Sequence, residues 1–520
     1  MKSAPVCLIA LGLGTAPVFA DVRVSNLFGD NLVLQREIAA PVWGTANPGE
    51  AVTVKIGEAR ATGRADAKGN WIVNLPAMKA NSKAQDLAIT GENTLTIRNV
   101  LVGDVWVCAG QSNMEMPLGN CNAPQDIAAA NYPALRWIKP NKRSLGWPGT
   151  EVVGRWGCCA PDNAPTMTAA GFYFARRIQK ETGLPLGLID ISWSGSAIEP
   201  WMPVCAFEME PSLSNIFQSA KKPLDAYRAS AEANLDALEM WIPEARKAMA
   251  TPGTEIPRAP QLPADPIIDE HFPTAIYNGM VHPVTPFAIK GVIWYQGESN
   301  GGEGIENYHT KMRALIGGWR RVWQQGDFPF YFVQLANYEA VCATPAAAGP
   351  YSRNREAQLL SLRIPNTGMA VAVDIGEEKD IHPKNKFDVG ERLAAWALHN
   401  DYGRKDLVPS GPLYKSMQVE EGRIRLQFDY IGAGLMIGKK DGRNPVVGDK
   451  DGRLKQFAVA GADKKWYWAD AVIDGNNIII SSPQVPKPLE VRYAYDHNPA
   501  GCNLYNKDGL PASPFRTDKW

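Results

Sequence analysis

Three short segments of the chain carry side chains suited to acyl transfer. The first is Gly110-Gln111-Ser112-Asn113-Met114, directly after an apolar run that ends near Cys108. A serine in a glycine-led turn between a strand and a helix can present its hydroxyl to an electrophile and its own N–H to an oxyanion. Met114 stands where the second glycine of a nucleophile elbow would be. A serine at the same place would also serve simply as a helix N-cap. The second segment is Trp193-Ser194-Gly195-Ser196, whose glycine lets a backbone N–H approach a ligand closely. The third runs Trp294-Tyr295-Gln296-Gly297-Glu298-Ser299-Asn300. There the Gln296 amide is a candidate oxyanion donor, and Glu298 and Asn300 are candidate supporting groups. For both later segments the alternative is an ordinary polar loop.

A serine hydroxyl is inert without a base, so the six histidines matter. His382 lies in Lys379-Asp380-Ile381-His382-Pro383. A carboxylate two positions earlier on the same loop can orient the imidazole and stabilise its protonated form. A surface turn would give the same short pattern. His282 precedes the third segment and is expected to line the cleft. His271, His309, His399 and His497 have no neighbours that single them out.

These segments need elements to hold them. Apolar runs at Asp104–Cys108, Leu186–Ser192, Gly291–Tyr295, Phe330–Leu335 and Met369–Asp374 read as strands. Amphipathic stretches at Ala169–Glu181, Asn307–Gln324 and from Lys386 onward read as helices. The alternation predicts an α/β domain of three layers over 101–404, with a largely parallel sheet. Each chemical segment follows a strand, at the sheet edge where ligands bind. Alternating short runs over 21–100 and 405–520 predict flanking β-rich modules. A proline-rich stretch over 201–273, with a helix near Lys222–Ala250, reads as an insertion bordering the cleft.

Composition narrows the classes further. Lys plus Arg and Asp plus Glu each number 54, so the chain has no basic field for nucleic acid. Its 47 glycines and 40 prolines are about a sixth of the chain and indicate many turns. Residues 1–20 have the charged start, apolar run and small-residue end of a signal peptide, predicting export to periplasm or exterior. No later run is long enough for a membrane span. Export would leave seven cysteines, with Cys108/Cys121 and Cys158/Cys159 as candidates for bridging.

Taken together, GQSNM, SWSGSAIEPW, NGMVHPVTPFAIKGVIWYQGESN and DIHPKNKFDVGERLAAWAL resemble the sialate O-acetylesterase family of SGNH-type hydrolases. The closing CNLYNKDGLPASPFRTD is similar too, so the likeness runs from about Leu101 to the C-terminus. The resemblance implies a flavodoxin-like SGNH esterase that removes acetyl groups from carbohydrates, O-acetylated sialic acids foremost, with no cofactor or metal. It implies Ser112 as nucleophile, His382 as base and Asp380 as acid partner, with Ser112 N, Gly195 N and the Gln296 amide forming the oxyanion hole. Asp380 lies two residues before His382, where the common SGNH spacing is three, so Glu298 or a backbone carbonyl is a rival orienting group. An acetylated plant polysaccharide such as xylan is the alternative substrate. A non-catalytic glycan-binding protein is the alternative of another class. Arg353 and Arg355, considered as carboxylate receptors for a sialic acid, read better as a solvated surface pair.

Overall fold

The computed structural model describes residues 21–261, 269–345 and 348–520. The signal-like segment 1–20 and part of the 201–273 stretch lie outside the described residues. The central sheet contains β1 (Thr94–Gly110), β2 (Tyr132–Ile138), β3 (Gly157–Cys159), β4 (Leu186–Asp190), β5 (Gly291–Tyr295), β6 (Phe330–Gln334) and β7 (Thr367–Val371). Their spatial order is β3-β2-β4-β1-β5-β6-β7. Every neighbouring pair is parallel except β3 with β2.

The reason β1 reads as an unbroken apolar run is visible in its two faces. Val105, Val107 and Ala109 enter one apolar core, while Trp106 and Cys108 enter the other. A strand covered on both sides has no polar face to display. Helices α1 (Ser112–Glu115), α2 (Ala169–Thr182), α3 (Ser214–Ala250), α4 (Ile305–Trp323), α5 (Pro350–Ser361) and α6 (Lys386–Asp401) complete the layers. On one face α2 and α6 bury Phe174, Leu393 and Trp396 against Trp106 and Tyr331. They approach so closely that a Cβ on Gly390 would lie 2.5 Å from the Tyr173 Cβ. On the other face α4 packs Tyr308, Met312, Leu315, Trp319 and Trp323 with Trp294 and Phe330. Burying each such ring contributes about 1.5–3 kcal/mol.

The flanking parts are β-rich. Before β1, antiparallel strands such as Ala51–Ile56 and Asn81–Thr90 lead into the first half of β1 itself. β1 therefore passes through residues 100 and 101 without a break. After α6, Leu413–Glu420, Arg423–Asp429, Asn477–Ser481 and Asp470–Asp474 form an antiparallel sheet.

Three expectations are corrected. The 201–273 helix is longer than expected, Ser214–Ala250, and carries Pro223 and Pro243 inside it. All seven described cysteines are free thiols, so neither candidate pair is bridged. Arg355 is fully buried, not a surface group. It donates to the carbonyls of Leu335, Ala336, Asp496 and His497 and so ties the end of β6 to the C-terminal part. Arg353 is exposed.

Candidate active site

Ser112 opens α1 immediately beyond β1. Gly110, at φ +126°, makes the sharp turn, and a Cβ there would sit 2.2 Å from the Tyr295 carbonyl oxygen on β5. Only glycine fits this approach. The turn leaves Ser112 half-exposed over the carboxyl edge of the sheet. As the first helical residue, Ser112 has an N–H with no intrahelical acceptor. The loop after β7 brings His382 across, and its Nε2 lies 2.8 Å from Ser112 Oγ. A neutral imidazole at that distance can take the hydroxyl proton.

The state of the imidazole follows from its surroundings. Partial burial holds the His382 pKa below the usual histidine value. Asp380 pulls it upward, and the Lys386 and Lys384 ammoniums push it down again. His382 is therefore neutral at neutral pH. Asp380 Oδ1 lies 3.4 Å from His382 Nδ1 and accepts the His382 backbone N–H at 2.8 Å. Its other oxygen takes Lys384 Nζ at 2.6 Å. That bond, together with the His382 N–H, keeps the Asp380 carboxyl below the ordinary range. Asp380 thus supports the ring through a long contact, while sharing its charge with Lys384.

The loop after β4 joins the same floor. Trp193 N–H bonds Gly110 O at 2.8 Å, and Ser194 N–H bonds Glu115 Oε2 at 2.7 Å. Gly195 adopts φ +78° with open space around its Cα, and its N–H has no partner among the described residues. Ser112 N and Gly195 N are the donors left for an oxyanion.

Gln296 is turned away from that task. Its amide nitrogen donates to Asn300 Oδ1 at 2.7 Å and Ser196 O at 3.3 Å, and its oxygen accepts from Tyr308. The side chain is fully buried, with both amide hydrogens engaged. Asn300 is equally enclosed, bonding Ile198 N–H, Glu199 and Glu303. The two amides brace the loops after β4 and β5 and do not face the cleft. Glu298 is partly buried, accepts from Asn113 Nδ2, and is held above the usual carboxylate range by desolvation. It has no bond to His382.

His282 is also placed elsewhere, with Nδ1 2.8 Å from Gly149 O and its ring against Tyr277. The cleft over Ser112 and His382 has a volume of about 610 Å³. Glu115, Lys139, Ser194 and Lys384 are among its walls. None of the described 201–261 residues lines it. Sequence reasoning missed Glu115 and Lys139, which carry no motif and reach the cleft only through the fold. Gln111 was missed as well: its Oε1 accepts the N–H groups of Gly297 and Ser299, binding the first loop to the third.

Comparisons with known proteins bear on the fold and the family. A carbohydrate acetylesterase from Xanthomonas citri superimposes with a TM-score of 0.79 at 36% identity, covering 96% of this chain and 100% of that one. The chain belongs to the sialate O-acetylesterase family of carbohydrate esterases. The family model described as carbohydrate esterase, sialic acid-specific acetylesterase matches residues 249–399. The sialate O-acetylesterase of Rattus norvegicus is 28% identical over 95% of this chain and 94% of its own length. That of Homo sapiens is 27% identical over 95% and 92%. This member of the family is a carboxylic ester hydrolase.

Proposed function

We propose that the protein hydrolyses O-acetyl esters of carbohydrates, O-acetylated sialic acids foremost, with Ser112 as nucleophile and His382 as general base. The 2.8 Å contact between Ser112 Oγ and His382 Nε2 on the floor of an open cleft carries the reading. His382 takes the hydroxyl proton as Ser112 attacks the acetyl carbonyl. The N–H groups of Ser112 and Gly195 stabilise the oxyanion, and the imidazolium returns its proton to the departing sugar oxygen. Water, activated by the same imidazole, then releases acetate from the serine. Asp380 favours the imidazolium that forms between these steps. The names of the relatives support sialic acid as the sugar. The character of residues 1–20 supports work outside the cytoplasm.

One observation favours a second substrate. Among the described residues no arginine lines the cleft, and Lys139 and Lys384 already face Asp190, Glu115 and Asp380. A sialic acid carboxylate would compete with these pairs, whereas an uncharged acetylated polysaccharide would not. Acetate release from 9-O-acetylated sialic acid and from acetylated xylan fragments, measured side by side, decides between them. Ser112→Ala should lower release from the true substrate at least about a thousandfold. Binding of glycan without acetate release would overturn both readings.

A further inference from the structure

His382 stands on a loop, and its carboxylate neighbour is a long contact shared with a lysine. What fixes the ring over Ser112 is found beneath it. Lys386, the first residue of α6, has no solvent exposure. Its Nζ donates to Pro383 O at 2.7 Å and to Asn113 Oδ1 at 2.7 Å, and it lies 5.4 Å from the centre of the Tyr295 ring. Asn113 is buried directly after Ser112. Its Nδ2 donates to Ile381 O at 3.0 Å and to Glu298 Oε1. The carbonyls on either side of His382 are therefore both held from below, one by the residue next to the nucleophile and one by a lysine bonded to it. The second oxygen of Glu298 is buried and has no partner among the described residues. So costly an arrangement persists only when something demands it.

We infer that Asn113 and Lys386 are positioning residues for His382, a two-point clamp on the Ile381 and Pro383 carbonyls that sets the base against the Ser112 hydroxyl. Glu298 orients the clamp by accepting from Asn113 Nδ2, which leaves Asn113 Oδ1 for the lysine. The inference rests on the Ser112–His382 assignment. Lys386 has a second effect, because its buried positive charge disfavours the imidazolium. The charged groups acting on His382 are Asp380, Lys384 and Lys386. Taking away the Lys386 charge raises the imidazole pKa, so the acid limb of the rate profile moves to higher pH.

The test uses the full chain and a small activated ester, 4-nitrophenyl acetate, so that sugar specificity plays no part. Ser112→Ala on the same ester checks the underlying assignment separately. Lys386→Met and Asn113→Ala should each lower kcat by about 10- to 100-fold with KM little changed, as for a misplaced base. Lys386→Met should also shift the acid limb of kcat/KM upward, and Asn113→Ala should leave it nearly in place. The double variant should be no worse than the weaker single one, because the two act as one unit. If Lys386→Met does not fold, Asn113→Ala still tests the Ile381 half of the clamp. Retention of kcat within twofold in Asn113→Ala, or losses that multiply in the double variant, would overturn the inference.

Discussion

At the scale of single residues, the base is tuned by neighbours of opposite sign. Asp380 raises the His382 pKa, and burial with Lys386 lowers it further than Asp380 restores. The folded imidazole therefore loses its proton below the ordinary value of about 6.5. Activity should rise with pH through that lower value and be flat at neutral pH. Asp380→Asn removes the group that raises the imidazole pKa, so the acid limb should move to lower pH while kcat falls. Because Asp380 is a long, solvent-exposed partner, Asp380→Asn should cost much less than His382→Ala. Equal losses would mean that Asp380 is a tightly coupled member of a triad, and an acid limb moving upward would contradict its raising of the imidazole pKa. Steady-state kinetics from acid to neutral pH read both quantities.

At the scale of elements, three loops at the carboxyl ends of β1, β4 and β5 are laced together. Gln111, Gln296 and Asn300 supply most of the lacing. The two glycines in these loops differ in their demands. A side chain at Gly110 meets the Tyr295 backbone, whereas one at Gly195 meets nothing within 4 Å and has only its left-handed φ to overcome. Gly195→Ala should cost about 1–2 kcal/mol of stability, and Gly110→Ala distinctly more; urea titration of both variants compares them. Which loops meet was legible in the sequence, because strand ends in a parallel sheet share one edge. The roles of Gln296 and Asn300 were not legible. An amide in a polar loop looks the same whether it faces ligand or neighbour, and only packing decides. Strand β2 escaped notice because Pro133 and Arg136 interrupt its apolar character. Arg136 is buried there and bonds Asn31 and Asn99, partners far away in sequence.

At the scale of the whole molecule, the α/β layers and the C-terminal part are joined by buried charged clamps. Arg355 holds four carbonyls, and Arg392 forms a two-point pair with Asp374, which also accepts from Tyr505. Contacts between residues 19 to 142 positions apart leave no local pattern, which is why Arg355 reads from sequence as a surface group. Arg355→Ala strands four acceptors in the interior and should destabilise the protein by about 3 kcal/mol or more. Thermal unfolding of the full chain checks this. Stability should also be indifferent to reducing agents, since the seven described cysteines are free thiols. Thiol titration of the denatured chain without residues 1–20, in the absence of reductant, should find all seven.

The central claim is that Ser112 takes the acetyl group from the ester. Acid-quenched reaction with 4-nitrophenyl acetate, followed by peptide mass analysis, tests it most directly. The account predicts one acetyl group on the peptide carrying Ser112, and none there in Ser112→Ala. Turnover with no acetyl on that peptide, or undiminished turnover in Ser112→Ala, would contradict it.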